Sequence, residues 1–430
     1  MTDSASGKPL HLALVGFGNI GTGVVRHLLE HGPLLNSRLP RPLRLKTICD
    51  KDLTTDRGVS VSEVVLTDDF KQVVADPDIE CVIELVGGTT IAKSIVDAAL
   101  RAGKHVVTAN KALIATYGGE LFEAARAGNA QLLYEASVGA GIPIIRSFQQ
   151  SLLPNRIDAL FGILNGTCNY ILTAMEDRPG AKYADILKEA MAKGYAEPDP
   201  TLDVEGDDTA HKIAILAALA FGKDFRATDV LKQGVTRIAP ADVEFAASRG
   251  MSIKLLASAK KIEGHPALSV WPTFVPRNHL IGGVRDVLNA LWVEGDPIGS
   301  TMMYGAGAGQ GSTGSGVLSD VMLLAQAGSG AVLEQLNPLG KGERCELSPA
   351  SANHPDRYIR APGLSASKAA IIRGAKVLQS GHGWTSFLAP AQTASQRNEM
   401  LEGLASLGVD PSSVCEIHFA MGAGRDLAAS

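Results

Sequence analysis

The sequence predicts an α/β chain in three parts: a parallel sheet covered on both faces, an α+β domain with a mostly antiparallel sheet, and a small C-terminal α+β unit. Three observations carry this. The chain has 430 residues, a length that corresponds to about two to four domains. Up to about Ile145, short apolar runs alternate with helix-length segments, the pattern of successive βαβ units. Beyond Ile145 longer helices appear, and later strand-like runs fit a mostly antiparallel sheet.

The elements follow in order. "LHLALVGFGNIGTGVVRHLLEHG" reads as an apolar strand, a glycine turn and a helix, and "PLRLKTICD" as a second strand ending at Asp50. "DDFKQVVADPDIECVIELVGG" gives a helix, a short link and a third strand; "IAKSIVDAALRAGKHVVTANKALIA" gives another helix and a fourth strand. "YGGELFEAARAGNAQLLYEASVGAGIPI" repeats the pattern and closes a first domain at 1–145. A second domain, 146–302, holds the helices "KYADILKEAMAKG" and "DDTAHKIAILAALAFG" and the strand-like runs "ALSVWPTFVP" and "VLNALWVEGD". The glycine run in "MMYGAGAGQGSTGSG" has the composition of a linker, but the apolar helix "VLSDVMLLAQAG" after it argues against a floppy tether. The polar, proline-containing stretch at 336–357 reads as an interdomain link. Residues 358–430 supply short strands ("AKVLQ", "TSFLAP", "VCEIHFAMG") and one helix, "SQRNEMLEGLASLG".

"VGFGNIG" places Gly16, Gly18 and Gly21 as G-x-G-x-x-G between a strand and a helix, with Asn19 and Ile20 inside the turn. The first glycine permits the tight turn, the second lets the backbone approach a pyrophosphate, and the third lets helix and strand pack closely. The helix N-terminus offers free N–H groups to the phosphates. With an acid at the end of the second strand, this predicts a Rossmann-type dinucleotide-binding domain. Asp50 stands where a carboxylate holds the adenosine ribose hydroxyls, which favours NAD over NADP. Lys51 and Arg57 could compensate its charge, and the bland alternative for Asp50 is a solvated turn residue.

Composition excludes several classes. The formal net charge of −5 gives no electrostatic case for nucleic acid or an anionic membrane as partner. No apolar run reaches spanning length, and the start lacks a signal-peptide pattern. The five cysteines are scattered without metal-ligand or redox spacing, as in a cytoplasmic protein with reduced thiols.

"GYAEPDPTLDVEGDDTAHK" (194–212) holds six carboxylates and no basic residue before His211 and Lys212. Pro198 and Pro200 forbid a helix through the acids. The helix is expected to begin near Glu205–Asp207, with acids in its favourable first turn. Asp208 and Lys212 then share a face at i,i+4. Beyond Lys212 the helix is apolar all round and therefore buried. A charged pair at the mouth of a buried helix needs partners or a charged ligand. The bland alternative is a surface salt bridge that caps the helix.

Four further segments occur in this order: "TANKALIA" (108–115), "YEASVGAGIPII" (134–145), "GILNGTCNYIL" (162–172) and the acidic motif at 194–216. With the glycine fingerprint and "MMYGAGAG" (302–309), they closely resemble homoserine dehydrogenase over about residues 10–330. The resemblance implies a nicotinamide-dependent oxidoreductase that interconverts aspartate 4-semialdehyde and homoserine. It implies a second domain that binds substrate and carries dimer contacts, and a first domain completed by 303–330. Glu197 and Asp208 would face the substrate ammonium with Asp203 nearby, and Tyr195, Gly166 and Thr167 would line the pocket. Lys212 would lie near the reacting oxygen, as proton donor to the developing alkoxide or acceptor in reverse. Lys111 follows the fourth strand at the carboxyl edge of the sheet and would contact substrate and cofactor; the alternative is a solvated loop lysine.

The resemblance also implies a monovalent cation, usually sodium, on the crossover, held by Glu135 and the backbone carbonyls of Val138, Ala140 and Ile142. The alternative is a structural turn whose carbonyls are merely hydrated. Gly309 would approach the cofactor closely. The family's proline–threonine–alanine continuation is altered to "STGSG", an expected gain in flexibility. His211 faces away from the pair and reads as a packing or capping residue. The resemblance also implies a C-terminal regulatory unit, since many relatives of this length end in an ACT domain, a ββαββα-type fold that binds amino acids. The C-terminal unit lacks its aspartate–proline–glycine–valine start and is expected to be a degenerate ACT-like module. It would bind an amino-acid effector or only stabilise an oligomer, a homodimer or homotetramer.

Overall fold

The computed structural model describes residues 7–327, 344–347 and 356–420. Most of the link expected at 336–357 lies outside the described residues. Contacts divide the chain into two units: Met1–Arg156, Ile215–Arg226 and Met303–Arg344 form one; Ile157–Ala214, Ala227–Met302 and Cys345–Ser430 form the other.

The first unit is built on six strands: β1 (Leu10–Val15), β2 (Leu43–Cys49), β3 (Val65–Thr67), β4 (Cys81–Glu84), β5 (His105–Thr108) and β6 (Leu132–Leu133). They run parallel in the order β3-β2-β1-β4-β5-β6, that of a doubly wound dinucleotide-binding sheet. β1 and β4 are buried nearly throughout, as parallel strands covered on both faces must be. The helices are α1 (Asn19–Asn36), α2 (Phe70–Ala75), α3 (Thr90–Arg101), α4 (Lys111–Ala127) and the single turn α5 (Ile144–Arg146). α3 shows why they dock: Ala92, Ile95, Val96 and Ala99 form one buried stripe at helical spacing.

The glycine run leads into a helix, α11 (Gln310–Ala327). Its Val317, Leu318, Val321 and Leu324 join the core of β1 and α1. The added flexibility expected of "STGSG" is not what these residues supply. A Cβ on Gly23 of α1 would lie 2.3 Å from Gln310 Cγ, and one on Gly316 would lie 2.3 Å from the Ala140 carbonyl. The Ser312 hydroxyl donates to the Ala306 carbonyl at 2.7 Å and accepts the Gly141 N–H at 3.0 Å. Small side chains here permit close packing, which offsets the roughly 1 kcal/mol that each glycine costs a helix relative to alanine.

The second unit contains β7 (Arg156–Ile163), α6 (Gly166–Asp177), α7 (Tyr183–Ala192), α8 (Thr201–Val204) and α9 (Asp207–Phe221, to Ala214 in this unit). It continues with β8 (Leu231–Lys232), α10 (Pro240–Ser248), β9 (Met251–Ile262), β10 (His265–Pro276), β11 (Leu288–Asp296) and β12 (Gly299–Ala306, to Met302 in this unit). β9 and β10 form a long antiparallel hairpin. α9 starts where the acids suggested, and Ile213 to Ala218 are buried around its whole circumference.

The C-terminal elements are β13 (Arg357–Pro362), α12 (Ala366–Ala369), β14 (Lys376–Gly381), β15 (Trp384–Ala389), α13 (Ala394–Ser406) and β16 (Cys415–Phe419). Their order is β-α-β-β-α-β, in place of the expected ββαββα. α12, capped by the Ser365 hydroxyl, intervenes after the first strand. The strands lie β16-β13-β15-β14, with antiparallel neighbours, a split βαβ arrangement. This module does not have a sheet of its own. β16 pairs in parallel with β10 through Thr273–His418 and Phe274–Phe419, giving one ten-stranded sheet. Trp271 stacks on His418 at 4.4 Å between ring centroids. The buried ion pair Arg360–Asp242, at 2.8 Å, ties β13 to α10.

Candidate active site

The fingerprint glycines sit between β1 and α1, beside β4, where the strand order reverses. Gly16 has φ +101°, and a Cβ there would lie 2.5 Å from the Leu85 carbonyl carbon. A Cβ on Gly21 would lie 2.1 Å from the Gly16 carbonyl oxygen, whereas one on Gly18 would meet nothing within 4 Å. Gly18 is the N-cap of α1 and offers no side-chain cap. The first and third glycines are thus forced by packing, and the second leaves an open approach to bare N–H groups. That cradle fits a dinucleotide pyrophosphate. Asn19 and Ile20 open α1, and the Asn19 carbonyl accepts from the Gln310 side chain at 2.8 Å. Gly309 precedes α11 with φ +107° and open space where a side chain would go. Lys111 opens α4 behind the N-cap Asn110.

Asp50 is more engaged than its sequence position implied. Its carboxylate accepts the Phe17 N–H at 2.5 Å and the Asp52 N–H at 2.9 Å. Arg57 Nη2 lies 4.0 Å from it, and the Arg57 guanidinium covers the Phe17 ring at 4.7 Å. Glu84, at the end of β4, went unnoticed in the sequence. It is fully buried, accepts the Val86 N–H at 2.8 Å and the Thr108 hydroxyl at 2.7 Å, and its pKa is raised by burial.

The second unit gathers most of the expected substrate residues around the start of α6. Lys212 Nζ donates to Asp208 Oδ2 and to the Leu164 carbonyl, both at 2.7 Å. The Lys212 and Asp208 side chains are only 10% and 7% exposed, so the pair is not a surface salt bridge. Asn165 donates through Nδ2 to Asp203 Oδ1 at 2.8 Å and to Asp208 Oδ2 at 3.0 Å. Its Oδ1 caps α6 by accepting the Cys168 N–H at 2.8 Å. Gly166 begins α6 where a Cβ would lie 2.7 Å from the Val287 carbonyl oxygen. The Thr167 hydroxyl donates to the Tyr195 carbonyl at 2.5 Å, and the Tyr195 ring meets Tyr170 edge-on at 5.0 Å. Glu197 is exposed and has no hydrogen bond or ion pair among the described residues. The Cys168 thiol is fully buried, which pushes its pKa well above the ordinary value; it is inert. Of these residues, Asn165 was missed, although an Asn directly before "GTCNY" is an N-cap signal.

The crossover brings Glu135, Val138, Ala140 and Ile142 into one buried turn, with Ala140 in the left-handed region at φ +52°. The Glu135 carboxylate accepts the Ile145 and Arg146 N–H groups at 2.9 and 2.7 Å. Asp320 of α11 accepts the Glu135 N–H at 2.8 Å and pairs with Arg146 at 2.6 Å. Burial first, and then the Glu135 charge, push the pKa of Asp320 up to about 7. Glu135 is thus a buried carboxylate on a turn with the backbone carbonyls of Val138, Ala140 and Ile142, the kind of donor set that would hold a monovalent cation. No cluster of three or more His, Cys, Asp or Glu able to hold a metal occurs among the described residues.

Comparison with known proteins decides the family. The profile described as "Homoserine dehydrogenase, NAD binding domain" matches residues 16–135, and the "Homoserine dehydrogenase" profile matches residues 143–322. A homoserine dehydrogenase from Corynebacterium glutamicum is 44% identical over 321 residues, 74% of this chain and 72% of that protein. The chain belongs to the homoserine dehydrogenase family. It is an oxidoreductase with an NAD(P)-binding domain. The crystal structure of a homoserine dehydrogenase from Thiobacillus denitrificans covers 96% of this chain and 99% of its own, with a TM-score of 0.88 at 33% identity. A hyperthermophilic archaeal homoserine dehydrogenase, solved in complex with NADPH, covers 73% of this chain and 97% of its own, with a TM-score of 0.62 at 25% identity. Among the described residues no helix is long and apolar enough to cross a membrane.

Proposed function

We propose that the chain interconverts L-homoserine and L-aspartate 4-semialdehyde with NAD or NADP, in the biosynthesis of threonine, methionine and isoleucine. The observation that supports this most is the buried Asp208–Lys212 pair beside Asp203, with an unpaired Glu197 in the same segment. The substrate carries an ammonium and an oxygen that gains or loses a proton, and the site offers groups for both. Glu197, Asp203 and Asp208 hold the ammonium, with Gly166, Thr167 and Tyr195 beside it. Lys212 gives its proton to the substrate oxygen as the aldehyde is reduced, and takes it back in reverse. The nicotinamide, when bound, supplies or accepts the hydride. Gly16, Gly18, Asn19, Ile20 and Gly21 hold its pyrophosphate, Gly309 lets the backbone approach it, and Lys111 contacts it.

Asp50 holds the ribose hydroxyls, as in NAD sites. Because Arg57 lies beside that carboxylate, the like-charge objection to a 2′-phosphate is weakened, and both cofactors are used. A monovalent cation such as sodium binds at Glu135 with the carbonyls of Val138, Ala140 and Ile142, and an amino-acid effector acts through the C-terminal module of a homodimer or homotetramer. The test is homoserine-dependent reduction of NAD and NADP by the purified chain, in sodium or in choline buffer. Binding of cofactor without homoserine turnover, or turnover only with another amino acid, would sink the reading.

A further inference from the structure

Asn165 occupies a place that the sequence did not flag and that capping alone does not explain. A helix cap needs one acceptor, and Asn165 Oδ1 supplies it to the Cys168 N–H. Its Nδ2 has a separate task. Each of its two N–H groups meets a different carboxylate, Asp203 at 2.8 Å and Asp208 at 3.0 Å. These acids come from different elements, α8 and α9. Asn165 is 5% exposed, so water does not readily replace these bonds. The preceding carbonyl, Leu164, takes the Lys212 ammonium. Two consecutive residues thus fix the acids and the lysine together.

We propose that Asn165 is a positioning residue, whose side-chain amide holds the Asp203 and Asp208 carboxylates at the spacing that receives the substrate ammonium. This rests on the homoserine reading above. Two carboxylates drawn to one ligand repel each other when the ligand is absent. An amide with two N–H groups bridges them without adding charge. Ser and Asp cap helices about as well as Asn, but neither offers two donors from one nitrogen. Capping and bridging can therefore be separated by substitution.

The experiment uses the full chain with Asn165→Ser and Asn165→Asp beside the wild type. It measures steady-state kinetics with homoserine, cofactor affinity by fluorescence titration, and thermal unfolding. Asn165→Ser keeps the cap and loses the bridge. Its KM for homoserine is expected to rise roughly 10-fold or more, the scale for losing hydrogen bonds to charged groups, with a smaller fall in kcat and unchanged cofactor affinity. Asn165→Asp keeps shape and cap but adds a third carboxylate. Its KM is expected to worsen with rising pH more steeply than in the wild type, because deprotonation removes the only donor a carboxylic acid has. A KM within about twofold of wild type in Asn165→Ser overturns the proposal and leaves a cap. So does a parallel loss of cofactor affinity, which would mark a general structural defect. If Asn165→Ser does not fold, the pH dependence of Asn165→Asp decides alone. A wild type silent toward homoserine sinks the functional reading as well; an active wild type with a silent substitution sinks only the positioning role.

Discussion

Replacing Lys212 separates stability from chemistry in a way the geometry makes quantitative. In Lys212→Ala the Leu164 carbonyl loses its donor, and Asp208 loses its lysine partner while keeping the Asn165 amide. Removing one partner of a buried pair costs about 3–5 kcal/mol, because a charge is left uncompensated. The double variant Asp208→Ala, Lys212→Ala removes both charges of the pair. Its loss of stability is expected to fall short of the sum of the two single losses by about 0.5–3 kcal/mol, the usual coupling between contacting residues. Turnover follows different logic. Loss of a positioned proton donor lowers kcat by something like 10²–10⁴-fold, and removing Asp208 as well does not bring it back. The assay is denaturant unfolding of the wild type, both single variants and the double variant, with homoserine kinetics and cofactor titration on each. Near-wild-type turnover in folded Lys212→Ala would refute the role in proton transfer. Single losses that simply add in the double variant would refute the stranded-charge account.

Other expectations follow from the same kind of reading. Truncation after Lys341 should give insoluble or strongly destabilised protein, because it uncovers the β10 edge and leaves the fully buried Asp242 without Arg360; a soluble, active truncation would contradict this. Arg57→Ala should lower kcat/KM with NADP roughly 10-fold or more and spare NAD, the scale of a lost charge-assisted bond, whereas equal losses would place Arg57 in loop structure only. Lys254, fully buried and bonded to Asn169 and the Val284 carbonyl, has its pKa lowered by burial to about 8. The unfolded chain therefore binds more protons between about pH 8 and 10.4, and this residue makes stability rise with pH in that window by up to about 1.4 kcal/mol per pH unit. Lys254→Met should flatten that slope, measured as unfolding midpoint against pH.

The sequence carried most of the first unit because its signals are local. β1 and β4 are apolar runs, and the fingerprint glycines answer to contacts within one βαβ unit. β3 escaped notice because Val65 and Leu66 are exposed, at 56% and 41%, and only pairing with β2 makes a strand of them. The start of α11 was obscured for a different reason. Its glycines look flexible in isolation, and only Gly23 and Ala140, far away in sequence, explain why larger residues would not fit. The junction of β16 with β10 rests on two residue pairs between distant segments, which no local pattern encodes. At the site, the acids and Lys212 stood out by their charge. Asn165 did not, since its role depends on two carboxylates more than thirty residues away.

Why the chain keeps a buried Asp208–Lys212 pair at all is itself informative. Apolar residues of similar volume at such positions are often as stable as a buried ion pair, or more so. The rest of α9 takes that course, with Ile213, Ile215 and Leu216 all buried. The fold could have continued the apolar helix one turn earlier at little cost. Instead it places a lysine that donates to Asp208 one turn back on α9 and to the Leu164 carbonyl just before α6, while a neutral amide rather than a second lysine spaces the nearby acids. That leaves more negative than positive charge among Asp203, Asp208 and Lys212. Asn165, by donating to both acids, keeps Asp203 and Asp208 beside Lys212, where the ammonium of the proposed substrate would meet them.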